Sequence, residues 1–177
     1  MDYKRLLASG IAVAMLVGCQ STPMKPVATV AKVDLERFMG DWYVIANIPT
    51  FIEKGAHNAV ESYRLESDGT IATTFTFRAG AFDGKTKRYN PRGYVRDRDS
   101  NALWGMQFIW PIKADYRISY LSEDYNLTVI ARERRDYVWI MARTPTIPEG
   151  DYQRLLRFVG EQGYDLAKVQ RVPQQWN

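Results

Sequence analysis

Asp115-Tyr116-Arg117-Ile118-Ser119-Tyr120-Leu121 alternates apolar and polar side chains, with Tyr116, Ile118 and Tyr120 set against Arg117 and Ser119. That period of two is the mark of a half-buried β-strand. Ser122-Glu123-Asp124 interrupts the run, and Asn126 to Arg132 forms the next one. The charged tip Arg132-Glu133-Arg134-Arg135-Asp136 then leads into a third run, Tyr137 to Arg143. Short strands joined by short polar turns describe antiparallel neighbours.

The same rhythm continues upstream. Trp42 to Ile48 ends at Pro49, and Ala59 to Leu65 ends at Ser67-Asp68-Gly69. Thr70 to Phe77 places Ile71, Thr73, Phe75 and Phe77 on one face, before the Asp83-Gly84 turn. Lys87 to Arg96 has a wet face of Arg88, Asn90, Arg92, Tyr94 and Arg96, and Pro91 within it predicts an edge or a bulge. Ala102 to Ile109 carries Trp104, Met106 and Phe108 on one side and breaks at Pro111. The reading is all-β: an eight-stranded antiparallel up-and-down barrel, or calyx, with one C-terminal helix packed outside. Eight strands close around side chains or one small ligand, and closure removes exposed edges. The helix follows Pro148, with Tyr152, Leu155, Leu156 and Val159 on one stripe and Gly163 as terminator. Leu166 to Val172 reads as a last strand or tail, and Asp34 to Met39 as one helical turn capped by Asp34 and ended by Gly40.

Composition narrows the function. The 177 residues include 24 Lys+Arg, 20 Asp+Glu, one His and one Cys. One Cys forms no internal disulfide, and with one His it excludes the usual zinc cluster. The charges are interspersed, which is not a nucleic-acid footprint. Lys4 and Arg5 precede an apolar run from Leu6 to Val17, too short for a permanent span of about 20 residues. Leu16-Val17-Gly18-Cys19 resembles a bacterial lipobox. The resemblance implies cleavage of residues 1–18, lipidation of Cys19 and attachment to a membrane. Gln20, standing where inner-membrane lipoproteins carry Asp, implies the outer membrane, with the protein facing the periplasm. Residues 19–33 then form the lipidated Cys and a tether, and residues 34–177 the barrel domain.

Gly40-Asp41-Trp42-Tyr43 resembles the G-x-W motif on the first lipocalin strand. Glu123-Asp124-Tyr125 resembles the family's T-D-Y motif with Glu for Thr, and Arg143, in Ala142-Arg143-Thr144-Pro145, stands at its single Arg. The chain from 34 to 177 thus resembles a bacterial outer-membrane lipoprotein lipocalin. The resemblance implies that Gly40, Trp42 and Arg143 close one end of the barrel as structural residues. It further implies a fatty acid or lysophospholipid ligand, binding rather than catalysis, and no cofactor.

Alternation from Trp42 and Arg143 gives an expected cavity lining: Val44, Ala46 and Ile48 on the first strand, and Met141, Trp139 and Tyr137 on the eighth. Tyr63, Phe75, Phe77, Val95, Trp104, Met106, Phe108, Tyr116, Ile118 and Tyr120 complete it. Glu61 shares the Tyr63 face and requires either a partner, a raised pKa or a place at the wet mouth. Two other readings remain open: an enzyme using Glu61 and inward tyrosines on a bound lipid, and a filled barrel serving as an envelope interaction protein. An apolar open end would also drive homodimerisation. His57 reads as a solvated loop histidine, and the Asp97/Asp99 and Glu123/Asp124 pairs as turn residues.

Overall fold

A computed structural model describes residues 24–176. The signal segment and Cys19 lie outside the described residues. Helix α1 (Leu35–Phe38) leads into β1 (Gly40–Ile48), followed by β2 (Ala56–Leu65), β3 (Thr70–Ala79), β4 (Thr86–Tyr89) and β5 (Arg92–Val95). Then come β6 (Leu103–Ile109), β7 (Ile112–Leu121), β8 (Leu127–Ala131), β9 (Val138–Ala142), α2 (Glu149–Glu161), a 3-10 turn (Leu166–Lys168) and β10 (Gln170–Arg171). All the strand pairs are antiparallel, and β1 pairs with β9 to close the barrel. Both β4 and β5 pair with β3, so they are one wall position interrupted at Asn90-Pro91, where Pro91 withholds a ladder donor. The wall therefore has eight positions.

At Ala46 and Asn47 the β2 side of β1 is taken by β10. The Gln174 amide bridges the resulting gap, donating to the carbonyls of Val44 at 2.8 Å and Ala59 at 3.2 Å. The C-terminal tail thus repairs the split between β1 and β2. His57, expected in a loop, lies in β2 with its ring edge-on to Phe82.

Two apolar clusters organise the molecule. One fills the barrel around Phe38, Trp42, Ile71, Trp104 and Ile118. The other joins the outer barrel wall to α2 through Ile45, Val129 and Ile140 against Tyr152, Leu155 and Val159. Two bulges decide which residues join which cluster. The β1–β9 register shifts between Val44 and Ala46, so Ala46 and Ile48 turn outward onto the helix instead of lining the cavity. The β7–β8 register shifts between Ile118 and Tyr120, so Tyr120 also turns outward, against Phe158. Tyr137 precedes β9 and packs on the helix cluster. These four expected lining residues are corrected to the helix interface. The expected tether is corrected as well: Val27 and Val33 are buried, and the amide of Val30 donates to the carbonyl of Ile118.

Arg143 closes the end opposite the mouth. Its guanidinium lies 3.9 Å from the Trp42 ring and donates to the carbonyls of Arg37, Phe38, Asp41 and Tyr125 at 2.8–3.3 Å. Trp42 Nε1 also donates to Phe38 at 2.9 Å. Gly40 has φ +93°, a left-handed conformation that favours glycine at this junction. Asp124 orders the β7–β8 turn by accepting from Ser122 and Asn126, and those bonds hold its carboxyl below the usual range. Tyr125, the last residue of that motif, accepts from the Asp34 amide at 2.9 Å and receives the Arg37 guanidinium on its ring.

Arg143→Ala removes a charged fork from several carbonyls and is expected to cost about 2–4 kcal/mol. Arg143→Lys should recover only part, because an ammonium cannot span the same acceptors. Urea unfolding followed by tryptophan fluorescence checks both; an unchanged midpoint in the alanine variant would refute the role.

Candidate functional site

The barrel interior is half packed and half hollow. Toward α1 the aromatics interlock: Phe38 lies 5.1 Å from Trp42, 5.7 Å from Tyr63 and 5.6 Å from Trp104, centroid to centroid. Trp104 stacks on Tyr116 at 5.2 Å. Above this plug a cavity of about 350 Å³ opens toward the β1–β2 and β6–β7 connections.

Of the expected lining residues, Phe75, Met106, Phe108, Tyr116 and Trp139 are on the cavity wall. Val44, Tyr63, Trp104, Ile118 and Met141 face inward but belong to the packed half, with Val95 at its edge. Phe77 is buried against Phe75 and Tyr89 rather than on the cavity wall. Alternation alone missed the wall residues supplied by connections and irregular strand ends: Phe51, Ile52, Asn90, Pro91 and Arg132. The one signal for them is composition, since Phe51-Ile52 and Ile109-Trp110 are apolar where a turn would normally be polar.

Glu61 sits on the wall above the plug. It accepts from the Tyr63 hydroxyl, whose oxygen is 2.6 Å from that of Tyr116. Tyr63 has one proton, and it is committed to Glu61, so Tyr116 donates to Tyr63. The chain of donors points at the carboxyl. Burial pushes the Glu61 pKa up to about 7, against the lowering effect of the Tyr63 bond and with a further raise from Glu53. Burial also raises both tyrosines well above their usual value.

Glu53 is buried in the β1–β2 connection, and the sequence reading did not single it out. Its carboxylate accepts from Asn47 at 2.7 Å, Trp139 Nε1 at 2.9 Å and Thr50 at 2.6 Å. The β1 bulge turns Asn47 to that side while Ala46 and Ile48 face the helix. Asp115 is tied to Arg117 at 2.9 Å and accepts from the Glu133 amide. Arg132 is the one cation on the cavity wall among the described residues; it lies 3.4 Å from Asp136, and its buried Nε has no partner. The site is thus an apolar chamber with a carboxyl at its inner end and a guanidinium on its wall.

Comparison with known proteins agrees with this architecture. The family model described as lipocalin-like domain matches residues 33–174. The chain is 30% identical over 165 residues to temperature-induced lipocalin-1 of Arabidopsis thaliana, covering 86% of each chain. It is 28% identical over 180 residues to outer membrane lipoprotein Blc of Escherichia coli (strain K12), covering 96% of each. Among solved structures, insecticyanin of the tobacco hornworm Manduca sexta superposes with a TM-score of 0.65 at 14% identity, covering 86% of each chain, a likeness of fold.

The raised Glu61 pKa has a consequence for stability. Between an unfolded value of 4.5 and a folded value of about 7, the folded state binds more protons than the unfolded chain. Its contribution is therefore fully present below pH 4.5 and is lost as pH rises through 7, by up to about 3 kcal/mol. Glu61→Gln should flatten that segment of the pH–stability curve. Urea midpoints between pH 4.5 and 8 check it; an unchanged slope in the variant would refute the assignment.

Proposed function

This chain belongs to the lipocalin family, and from that premise we propose that it is a lipid-carrying outer-membrane lipoprotein, anchored through Cys19 on the periplasmic side and holding one fatty acid or lysophospholipid in its calyx. The observation that carries this reading is the half-hollow interior: an apolar chamber of about 350 Å³ with a single cation, Arg132, on its wall. That volume is near the lower end, about 300 Å³, of small-ligand pockets. It suits one acyl chain better than two. Each methylene buried in such a chamber contributes about 0.8 kcal/mol, so a chain binds without any ion pair. An anionic head group at the exposed edge of the Arg132 guanidinium, beside its ion pair with Asp136, would fix the ligand head-out.

Cys19 as the first mature residue accords with the relatives named outer membrane lipoprotein. We read the chamber as a binding site rather than a catalytic one. Thr50 is engaged with Glu53 and Thr73 with Met106 Sδ, and the Tyr116 hydroxyl and the Glu61 carboxyl on the wall are both committed to Tyr63. Residues 1–18 serve as the signal peptide in this reading.

The test is native mass spectrometry with lipid extraction on residues 20–177, purified without detergent. One fatty acid or lysophospholipid per chain is the expected result, and Arg132→Ala should weaken binding of the anionic ligand about tenfold, in line with the loss of one charge-assisted contact. An empty protein that also rejects added lipid would overturn the reading. Intact mass of the full chain from bacterial membranes reads the acyl chains on Cys19 separately.

A further inference from the structure

Three connections lie at the open end of the barrel, and they share a pattern. The β1–β2 connection carries Phe51-Ile52-Glu53-Lys54, the β3–β4 connection Phe82-Asp83-Gly84-Lys85, and the β6–β7 tip Trp110-Pro111-Ile112-Lys113. Each places an aromatic residue three positions before a lysine. Phe51 and Trp110 are each 82% exposed, Phe82 is partly exposed, and the three lysines are exposed. Ile109 and Ile112 flank Trp110 and are exposed as well. Ile109, Trp110 and Ile112 together, with Phe51 on a neighbouring connection, expose apolar surface that is unfavourable in water and marks a contact site. Aromatic rings with lysines beside them suit one environment in particular. The ring sits at the boundary of the hydrocarbon, and the flexible lysine stem lets the ammonium reach lipid phosphates.

The path of the chain selects the same occupant. Met24 lies within reach of Gly163, at the end of α2. The next residue, Lys25, accepts through its carbonyl from Arg135, and the Val27 amide donates to Glu133. Arg135 and Glu133 belong to the β8–β9 connection, on the mouth side, opposite the end closed by Arg143. Only five residue steps separate Met24 from Cys19. They span at most about 18 Å when fully extended. A lipid on Cys19 therefore holds the mouth side, not the closed end, near the bilayer.

We propose that Phe51, Phe82 and Trp110, with their lysines, seat the open mouth on the phospholipid surface, so that ligand passes between bilayer and chamber without crossing bulk water. The proposal rests on lipidation of Cys19 as read above.

The test uses the full lipidated chain in vesicles of phosphatidylethanolamine and phosphatidylglycerol carrying brominated acyl chains. Bromine quenches only nearby indoles, and comparison with Trp110→Phe isolates the Trp110 signal from the other tryptophans. The proposal expects wild type to be quenched at least twofold more than Trp110→Phe, most strongly with bromine placed shallow in the chain. It also expects Phe82→Ser/Trp110→Ser, which leaves the chamber wall intact, to float with vesicles through its anchor, keep its unfolding midpoint, and deliver a fluorescent fatty acid to acceptor vesicles about tenfold more slowly. Equal quenching with and without Trp110 in protein that floats overturns the docking and leaves the anchor standing. Loss of the Trp110 signal together with concentration-dependent cross-links between mouths would instead assign the patch to a second copy, and also overturns it. An intact mass lacking acyl chains refutes the anchor. Quenching at high vesicle concentration then still reads the rim, and its absence overturns the docking too.

Discussion

The guanidinium of Arg143 is shared by three pieces of chain: α1 through Arg37 and Phe38, β1 through Asp41 and the ring of Trp42, and the β7–β8 turn through Tyr125. β1 and β9 are the first and last strands of the wall, so their pairing must hold without a connecting hairpin. Closing such a long loop costs conformational entropy that no local turn offsets. Charged hydrogen bonds at the seam supply what the hairpins supply elsewhere. The planar fork matters because the acceptors converge from different elements onto one group. Once the seam is fixed, Phe38 is held over the barrel end and the aromatic plug can assemble beneath it.

The plug in turn sets the depth of the chamber. Phe38, Trp42, Tyr63, Trp104 and Tyr116 fill the half toward α1, so the void begins where Tyr116 and Glu61 stand. Glu61 is placed at the boundary between dense and empty space. Its charged form loses hydration there, while the tyrosine chain below can partly replace water as donor. The balance leaves its pKa about 7, above that of a surface carboxylate. The same packing that makes a cavity thus makes its inner end responsive near neutral pH.

Much of this was legible in the sequence, because closed barrels impose period two on every strand and motif residues at fixed places. The helix stripe of Tyr152, Leu155 and Val159, the cap at Asp34 and the interruption at Pro91 all stand where local chemistry put them. The inward set failed at Ala46, Ile48 and Tyr120, each after a bulge, and at Tyr137, which stands before β9 begins. A bulge is a tertiary event: α2 needs an apolar floor, and Ile45 and Ala46 are both small or apolar enough to supply it, so the string itself does not say where alternation slips. Nor does it say whether inward aromatics meet. Trp104 and Tyr116 stack, whereas Phe75 and Met106 leave room between them, and only the packed geometry separates those outcomes. Val27, Val30 and Val33 recur every third residue, a spacing that is neither the two of a strand nor the 3.6 of a helix, so the burial of Val27 and Val33 is set by the barrel they pack on.

The two ends of the molecule are built on opposite principles, and the difference is functional. At the closed end nearly every donor is matched, with Asp34, Tyr125, Asp124 and Arg143 each tied to backbone groups. At the mouth, large apolar side chains stand in water, and β4 has its ladder partner only in β3. A protein has a limited surplus of stability, so unfavourable exposure persists only where other contacts over-determine the fold. The seam at Arg143 provides that surplus. It lets the rim remain apolar and the wall beside Tyr89 and Phe108 remain unzipped, so the low-stability part of the barrel lies at the mouth of the chamber.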